Sequence, residues 1–215
     1  TIRSNTTGGG AITATSALAT GTNALTVTSG GAVSVAGITS GALAITGTGI
    51  TLNNNITTSG AQTYTGAVTL GDAITLTSNN NTVSFSGSGS TVNGAKDFTV
   101  NAGSGAINFG GVVGGSSVLS SLALTTTHAT GITLSGNITT TGAQAYNGNV
   151  LLAGANISLS TTNSDVTITG AIEGGSASVS MILQFLGGGA YIYNGTSYTA
   201  GSGSQPAGIT VSYSG

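Results

Sequence analysis

Gly49–Val68 reads GITLNNNITTSGAQTYTGAV and Gly131–Val150 reads GITLSGNITTTGAQAYNGNV, so one long block occurs twice with most of its positions identical. Self-similarity at a fixed period marks a tandem array, in which a unit cannot bury its apolar face alone and stacks on its neighbours. The likeness extends outward. Ile74, Leu76, Val83 and Phe85 correspond to Ile157, Leu159, Val166 and Ile168 after a one-residue insertion near Ala153, and TVTSGGAVSVAG from Thr26 resembles TVNAGSGAINFGG from Thr99. One unit covers about residues 24–87 and its second copy about 97–170.

Inside each unit, apolar residues come in pairs separated by one residue, such as Leu25/Val27, Val33/Val35, Ile50/Leu52, Ile74/Leu76 and Ile157/Leu159. That spacing sends both side chains to one face of a strand. Between the pairs lie clusters such as Gly30-Gly31, Asn53-Asn54-Asn55 and Asn79-Asn80-Asn81, residues that tolerate the left-handed backbone of tight turns. No stretch has a helical period. Three such strands with their turns make a coil of roughly 20 to 28 residues, which predicts an all-β, parallel β-helix (β-solenoid) of roughly nine rungs. In that fold, equivalent aliphatic residues of the two units are expected to stand in common interior columns.

Composition narrows the function. Charged residues make up 3% of the chain, namely Arg3 and Lys96 against Asp72, Asp97, Asp165 and Glu173, for a formal net charge of -2, where an ordinary domain carries about 25%. Two cations cannot displace counterions along a phosphate backbone, so nucleic acid is excluded as a partner. The most apolar stretch, Met181–Leu186, contains Gln184 and falls far short of a membrane-spanning helix. With aromatics at 5%, there are no girdles of the kind that bracket outer-membrane strands, and membrane insertion is not expected. Cysteine is absent, which removes disulfide staples and thiolate metal sites. The opening TIRSNTTGGG has the form of a processed product or an excised piece.

The phrases TTSGAQTYTGAVTLGDAITLTS and TTTGAQAYNGNVLLAGANISLS, followed by DFTVNAGSGAINFGG, resemble the repeats of very large bacterial surface proteins of the filamentous haemagglutinin-like, β-strand-repeat type. The resemblance spans about residues 24–170. It implies a right-handed β-helical stalk or adhesin, exported to the cell surface or beyond, and implies no catalytic residue.

Candidate chemistry is sparse. A carbohydrate-cleaving β-helix needs paired carboxylates roughly 5 to 9.5 Å apart. Asp72 and Asp97 can fall on neighbouring rungs, but Gly154 replaces Asp72 in the second copy. His128 in TTTHATG has no second His, no Cys and no nearby acid. GSTVNGAK at Gly89–Lys96 has its Lys one position late for a phosphate loop, with Asp97 in place of Ser/Thr. Asp165 sits in no calcium-binding nonapeptide. The N-x-S/T triplets at Asn5, Asn55, Asn80, Asn137, Asn156 and Asn194 are what so much Asn, Ser and Thr produces by chance. Pairs such as Thr75/Thr77 and Thr167/Thr169 put hydroxyls on one strand face, in an irregular sequence spacing.

After about Ser176 the chain changes character, gathering Met181, Phe185 and four tyrosines, Tyr191, Tyr193, Tyr198 and Tyr213, with the one proline, Pro206. Residues 176–215 read as a terminal cap continuous with the solenoid of residues 1–175, or as a subunit contact carried by those tyrosines. The sequence therefore points to a non-enzymatic extracellular structural protein without cofactor or metal. It would be an adhesin stalk or filament subunit, self-associating end to end or laterally, with glycans or other cell surfaces as further partners. The alternative is a carbohydrate- or ice-binding module using a Thr/Asn-rich solenoid face.

Overall fold

A computed structural model describes residues 1–4, 9–87, 89–154, 156–162 and 164–174 in full, together with the backbone of Met181–Leu186, Ala190–Tyr193, Thr196–Thr199 and Ile209–Ser214. Every described element is a β-strand, and the strands stack as a parallel β-solenoid of about eight turns.

Three faces follow from the pairing. The first runs from Ile2–Ser4 through Leu25–Ser29, Val83–Phe85, Ile107–Phe109, Ile132–Leu134 and Val150–Leu152 to Ile172–Gly174, nine strands in one order. Two members of that order, Leu43–Leu52 and Gln62–Leu70, are long because they turn a corner and continue onto the second face. The break shows as a register shift between Thr46 and Gly49. The second face then passes by single bridges through Val92, Val113 and Ile138 to Ile157–Thr162. The third face is a separate ten-stranded sheet that includes Ile38–Ser40, Ile56–Thr58, Ile74–Thr77, Asp97–Gly103, Ser121–Thr126, Gln144–Asn147 and Val166–Ile168.

Alternation explains the core. In Ile74–Thr77 and Val83–Phe85 every second residue is buried, and its neighbours are half-exposed. The buried residues line up in register columns. One first-face column is Leu25, Leu43, Gln62, Val83, Ile107, Ile132, Val150 and Ile172. Consecutive members lie about 4.8 Å apart. The parallel column holds Tyr64, Phe85 and Phe109, whose rings stack at centroid distances of 5.1 and 4.9 Å. Phe98 enters from the third face and meets Phe85 edge-on at 5.9 Å. Turn length varies along the coil: one turn carries the chain from Val27 to Ile45 near the start, but the longer way from Phe85 to Phe109 here.

The duplicated units do not share columns, contrary to the expectation from sequence. Ile50 pairs with Val33 and Val68 on the second face, whereas its repeat equivalent Ile132 pairs with Ile107 and Val150 on the first. Ile74 and Leu76 lie on the third face, and their equivalents Ile157 and Leu159 on the second. Between equivalent residues the chain takes eleven strand positions, three full turns and two further faces, so the second copy is turned back by one face. The columns are continuous, but each is filled by non-equivalent members of the two units.

The C-terminal strands extend this stack. Tyr191 and Tyr193 follow Val166 and Ile168 in register, Tyr213 is opposite Phe185, and Tyr198 is opposite Tyr191 in the pair Ala190–Tyr193 with Thr196–Thr199. That pair is antiparallel, unlike every other described pairing, and ends the parallel order of the third face. The side chains of these four tyrosines lie outside the described residues.

Candidate functional site

The repeated motif encodes a buried corner. Gln62 and Tyr64 are fully buried on the first face, in columns otherwise made of aliphatic and aromatic residues. An amide there is tolerable only if its hydrogen bonds are made. The Gln62 amide nitrogen donates to Thr58 Oγ1 at 3.1 Å and to the Thr77 carbonyl, one turn on, at 2.9 Å. The Tyr64 hydroxyl donates to Gln62 Oε1 at 2.8 Å, and Thr58 Oγ1 donates to the Gly60 carbonyl at 2.5 Å. Both amide protons, the amide oxygen and both hydroxyl protons are thereby satisfied.

The second copy builds the same network on the third face. Gln144 donates to Thr140 Oγ1 at 3.2 Å and to the Ser160 carbonyl at 2.8 Å, Tyr146 donates to Gln144 at 2.8 Å, and Thr140 donates to the Gly142 carbonyl at 2.5 Å. Burial pushes both phenols well above the ordinary tyrosine value of 10.0. The shared glycine after Tyr is explained too. Gly66 and Gly148 have φ of 134° and 151°, and a Cβ on Gly66 would sit 2.0 Å from the Gly47 carbonyl oxygen.

Asparagines tie successive turns. Asn55 Oδ1 accepts the Thr75 N–H at 2.8 Å, and its repeat equivalent Asn137 accepts the Ser158 N–H at 2.9 Å. Asn93 accepts from Ser116, and Asn149 accepts from Ala171. Four of the N-x-S/T positions, Asn55, Asn80, Asn137 and Asn156, lie between strands at corners, while Asn5 and Asn194 lie outside the described residues.

The charged candidates are turn groups. Asp97 stands one turn on from Ala73, since Phe98 pairs with Ile74, so Asp72 and Asp97 do come to one corner. Each is separately engaged: Asp72 accepts the Ala73 N–H at 2.8 Å, and Asp97 accepts the Ser121 hydroxyl at 2.7 Å. Both are exposed. His128 Nδ1 accepts the Thr130 N–H at 3.2 Å. Asp165 is exposed, and its carbonyl accepts the Gln144 N–H at 3.0 Å. Lys96 has its backbone in the corner before Asp97–Gly103, donating to Gly94. Among the described residues no three acidic or His side chains gather to hold a metal ion, and no helix is long and apolar enough to cross a membrane.

The hydroxyl surface is more ordered than its sequence spacing suggests. On the third face the outward residues Thr39, Thr57, Thr77, Asn101, Thr125 and Asn147 are consecutive register partners, and Asn147 donates to Thr125 at 3.4 Å. Corners of unequal length separate these residues irregularly along the chain while leaving them in one ladder. Comparison of the chain with protein-family models, curated proteins and solved structures finds no match.

Proposed function

We propose that this chain is a non-enzymatic structural rod outside the cell, a stalk segment of a bacterial surface adhesin or a subunit of a self-assembling filament. The observation that carries the reading is the phase of the duplication. A binding or catalytic face would be copied in whole turns, so that surface groups repeat on the same side. Here the copy is turned by one face while its interior network is kept intact, so what the repeat preserves is the capacity to continue the coil. The resemblance to adhesin repeats points the same way, and low charge leaves little Coulomb repulsion against lateral or end contact.

Two measurements test it. Immunogold electron microscopy of the source cells places label on the outer surface and on projections from it; label confined to the cell interior refutes the reading. Sedimentation velocity over a wide concentration range yields species larger than the monomer, reduced by Tyr198→Asp in the outermost strand of the third face and unchanged by Asp72→Asn. Monomers at every concentration remove self-association from the proposal.

A further inference from the structure

A groove of about 460 Å³ crosses four successive turns at the corner that follows the third face. Its floor is Thr39, Thr57 and Thr77, consecutive partners in parallel register, which puts three outward hydroxyl and methyl groups about 4.8 Å apart along the axis. The corner residues Thr22, Ser59 and Asn79 wall it. None of the lining residues is charged.

The recess gathers side chains with unspent hydrogen-bonding capacity around one space. Asparagines at several other corners are engaged, as with Asn53, Asn55, Asn93, Asn137 and Asn149. In the run Asn79-Asn80-Asn81, Asn80 accepts the Ser104 N–H at 3.1 Å and Asn81 donates to the Ser59 carbonyl at 3.1 Å. Asn79, held at φ 42°, is the one whose side-chain amide makes no bond among the described residues, and it lines the groove. The hydroxyls of Thr22, Thr39, Thr57, Ser59 and Thr77 likewise have no partner among the described residues. Six neutral donor-acceptor groups therefore converge on one elongated recess.

The second copy supplies an internal contrast. Thr139, Thr141 and Ser160 are the counterparts of Thr57, Ser59 and Thr77, on a different face, and Thr141 turns its hydroxyl to the carbonyls of Leu119 and Ser120 at 3.4 Å.

We propose that the groove binds a neutral oligosaccharide lying along the solenoid axis. A neutral recess offers an anion no counter-charge, and its accessible surface is mostly carbon with hydroxyl and amide groups set among it; a sugar chain presents C–H faces to set against the threonine methyls and hydroxyl groups to pair with the side-chain hydroxyls. The recess is an open groove that runs across four turns, which suits a chain ligand laid along the axis. This activity is additional to the rod function and does not depend on it.

The test uses the full chain against immobilised and soluble hexasaccharides of neutral β-linked glucose, mannose and N-acetylglucosamine, with hexagalacturonate as the acidic control. At least one neutral hexasaccharide binds saturably and hexagalacturonate does not. The double variant Thr57→Val/Thr77→Val, which keeps side-chain shape on an outward surface, weakens binding about tenfold or more with an unchanged circular dichroism spectrum. Thr139→Val in the second copy binds as the unaltered chain does. Failure of every neutral hexasaccharide to bind, equal binding of hexagalacturonate, or equal loss in Thr57→Val/Thr77→Val and Thr139→Val each overturns the proposal.

Discussion

Tyr64 and Tyr146 occupy the same place in the duplicated sequence, yet Tyr64 stands on the first face between Ile45 and Phe85 while Tyr146 stands on the third between Leu124 and Ile168. Their hydroxyls make the same bond, 2.8 Å to the preceding glutamine in each case. The motif's polar network is thus local to the corner it follows, while its apolar neighbours are whatever the adjacent turns provide. Tyr64 has the ring of Phe85 stacked on it at 5.1 Å; Tyr146 has aliphatic register partners.

That locality predicts coupled energetics. Tyr146→Phe leaves Gln144 Oε1 buried without its donor and costs about 1–3 kcal/mol. Gln144→Leu instead orphans the Tyr146 hydroxyl proton, at similar cost, while the Ser160 carbonyl keeps the Thr140 N–H as a donor. The double variant costs less than the sum, because both ends of one bond are removed together. Urea unfolding of the four proteins measures the cycle, and strict additivity would show that the hydrogen bond between the two side chains carries no energy. The same cycle on Gln62 and Tyr64 gives a coupling of the same sign.

Burial of the two phenols sets a pH dependence with a definite sign. Both tyrosines stay protonated in the folded chain well above the ordinary value of 10.0, whereas in the unfolded chain they ionise near it. Above pH 10 the unfolded state therefore binds fewer protons than the folded state, and stability falls as pH rises, by about 1.4 kcal/mol per unit for each tyrosine. Below pH 10 these groups contribute no slope. Thermal melts from pH 8 to pH 11.5 should show the loss, and Tyr64→Phe/Tyr146→Phe should flatten it by about 2.7 kcal/mol per unit. An unchanged slope in that variant would mean that both phenols titrate in the folded chain.

The glycine that follows each motif tyrosine makes a steric prediction. A Cβ at Gly66 meets the Gly47 carbonyl oxygen at 2.0 Å, and one at Gly148 meets the Thr126 carbonyl oxygen at 2.7 Å; both residues have positive φ. Nothing lies within 4 Å of a Cβ on Gly49. Gly66→Ala should be the most destabilising of the three, by several kcal/mol because backbone must move to relieve it. Gly148→Ala should be intermediate and Gly49→Ala close to neutral. Melting temperatures in that order check the ranking.

Much of this fold was legible in the chain because alternation is a strong signal where both members of a pair are aliphatic or aromatic, as in Ile74/Leu76 or Val83/Phe85. Gln62 and Gln144 were legible only in hindsight. They share the inward parity of the neighbouring apolar pairs, and a glutamine at such a position in both copies signals a satisfied interior amide, but residue type alone says surface. The phase of the repeat was hidden for a different reason. Counting strands between copies gives eleven only if the weak strand positions at Val92 and Val113 are included, where one inward apolar residue beside a glycine-containing corner replaces the usual pair. The groove was invisible because Thr39, Thr57 and Thr77 are far apart along the chain, at unequal intervals, and are brought into one ladder only by register.

If the three faces are interchangeable for the interior, removing one whole repeat should leave a folded rod. Deleting Thr69–Val150 joins Val68 to Leu151, so that Leu152 takes the inward place of Leu70, Ile157 and Leu159 take those of Ile74 and Leu76, and Val166 and Ile168 stack on Gln62 and Tyr64. Every residue after the junction moves round by one face, yet each lands on a position whose parity and size its repeat equivalent already fits. The shortened chain should keep a cooperative melt and a β-type circular dichroism spectrum, and small-angle scattering should find a rod about 18 Å shorter, eleven strand positions being three and two-thirds turns of about 4.8 Å each. Deleting Thr69–Asn149 removes one residue fewer and reverses inside and outside along the joined strand; that protein should fail to form a stable coil around the junction. Equal behaviour of the two deletions, or unfolding of the first, would show that the faces are not equivalent and that the turned duplication depends on contacts peculiar to each face.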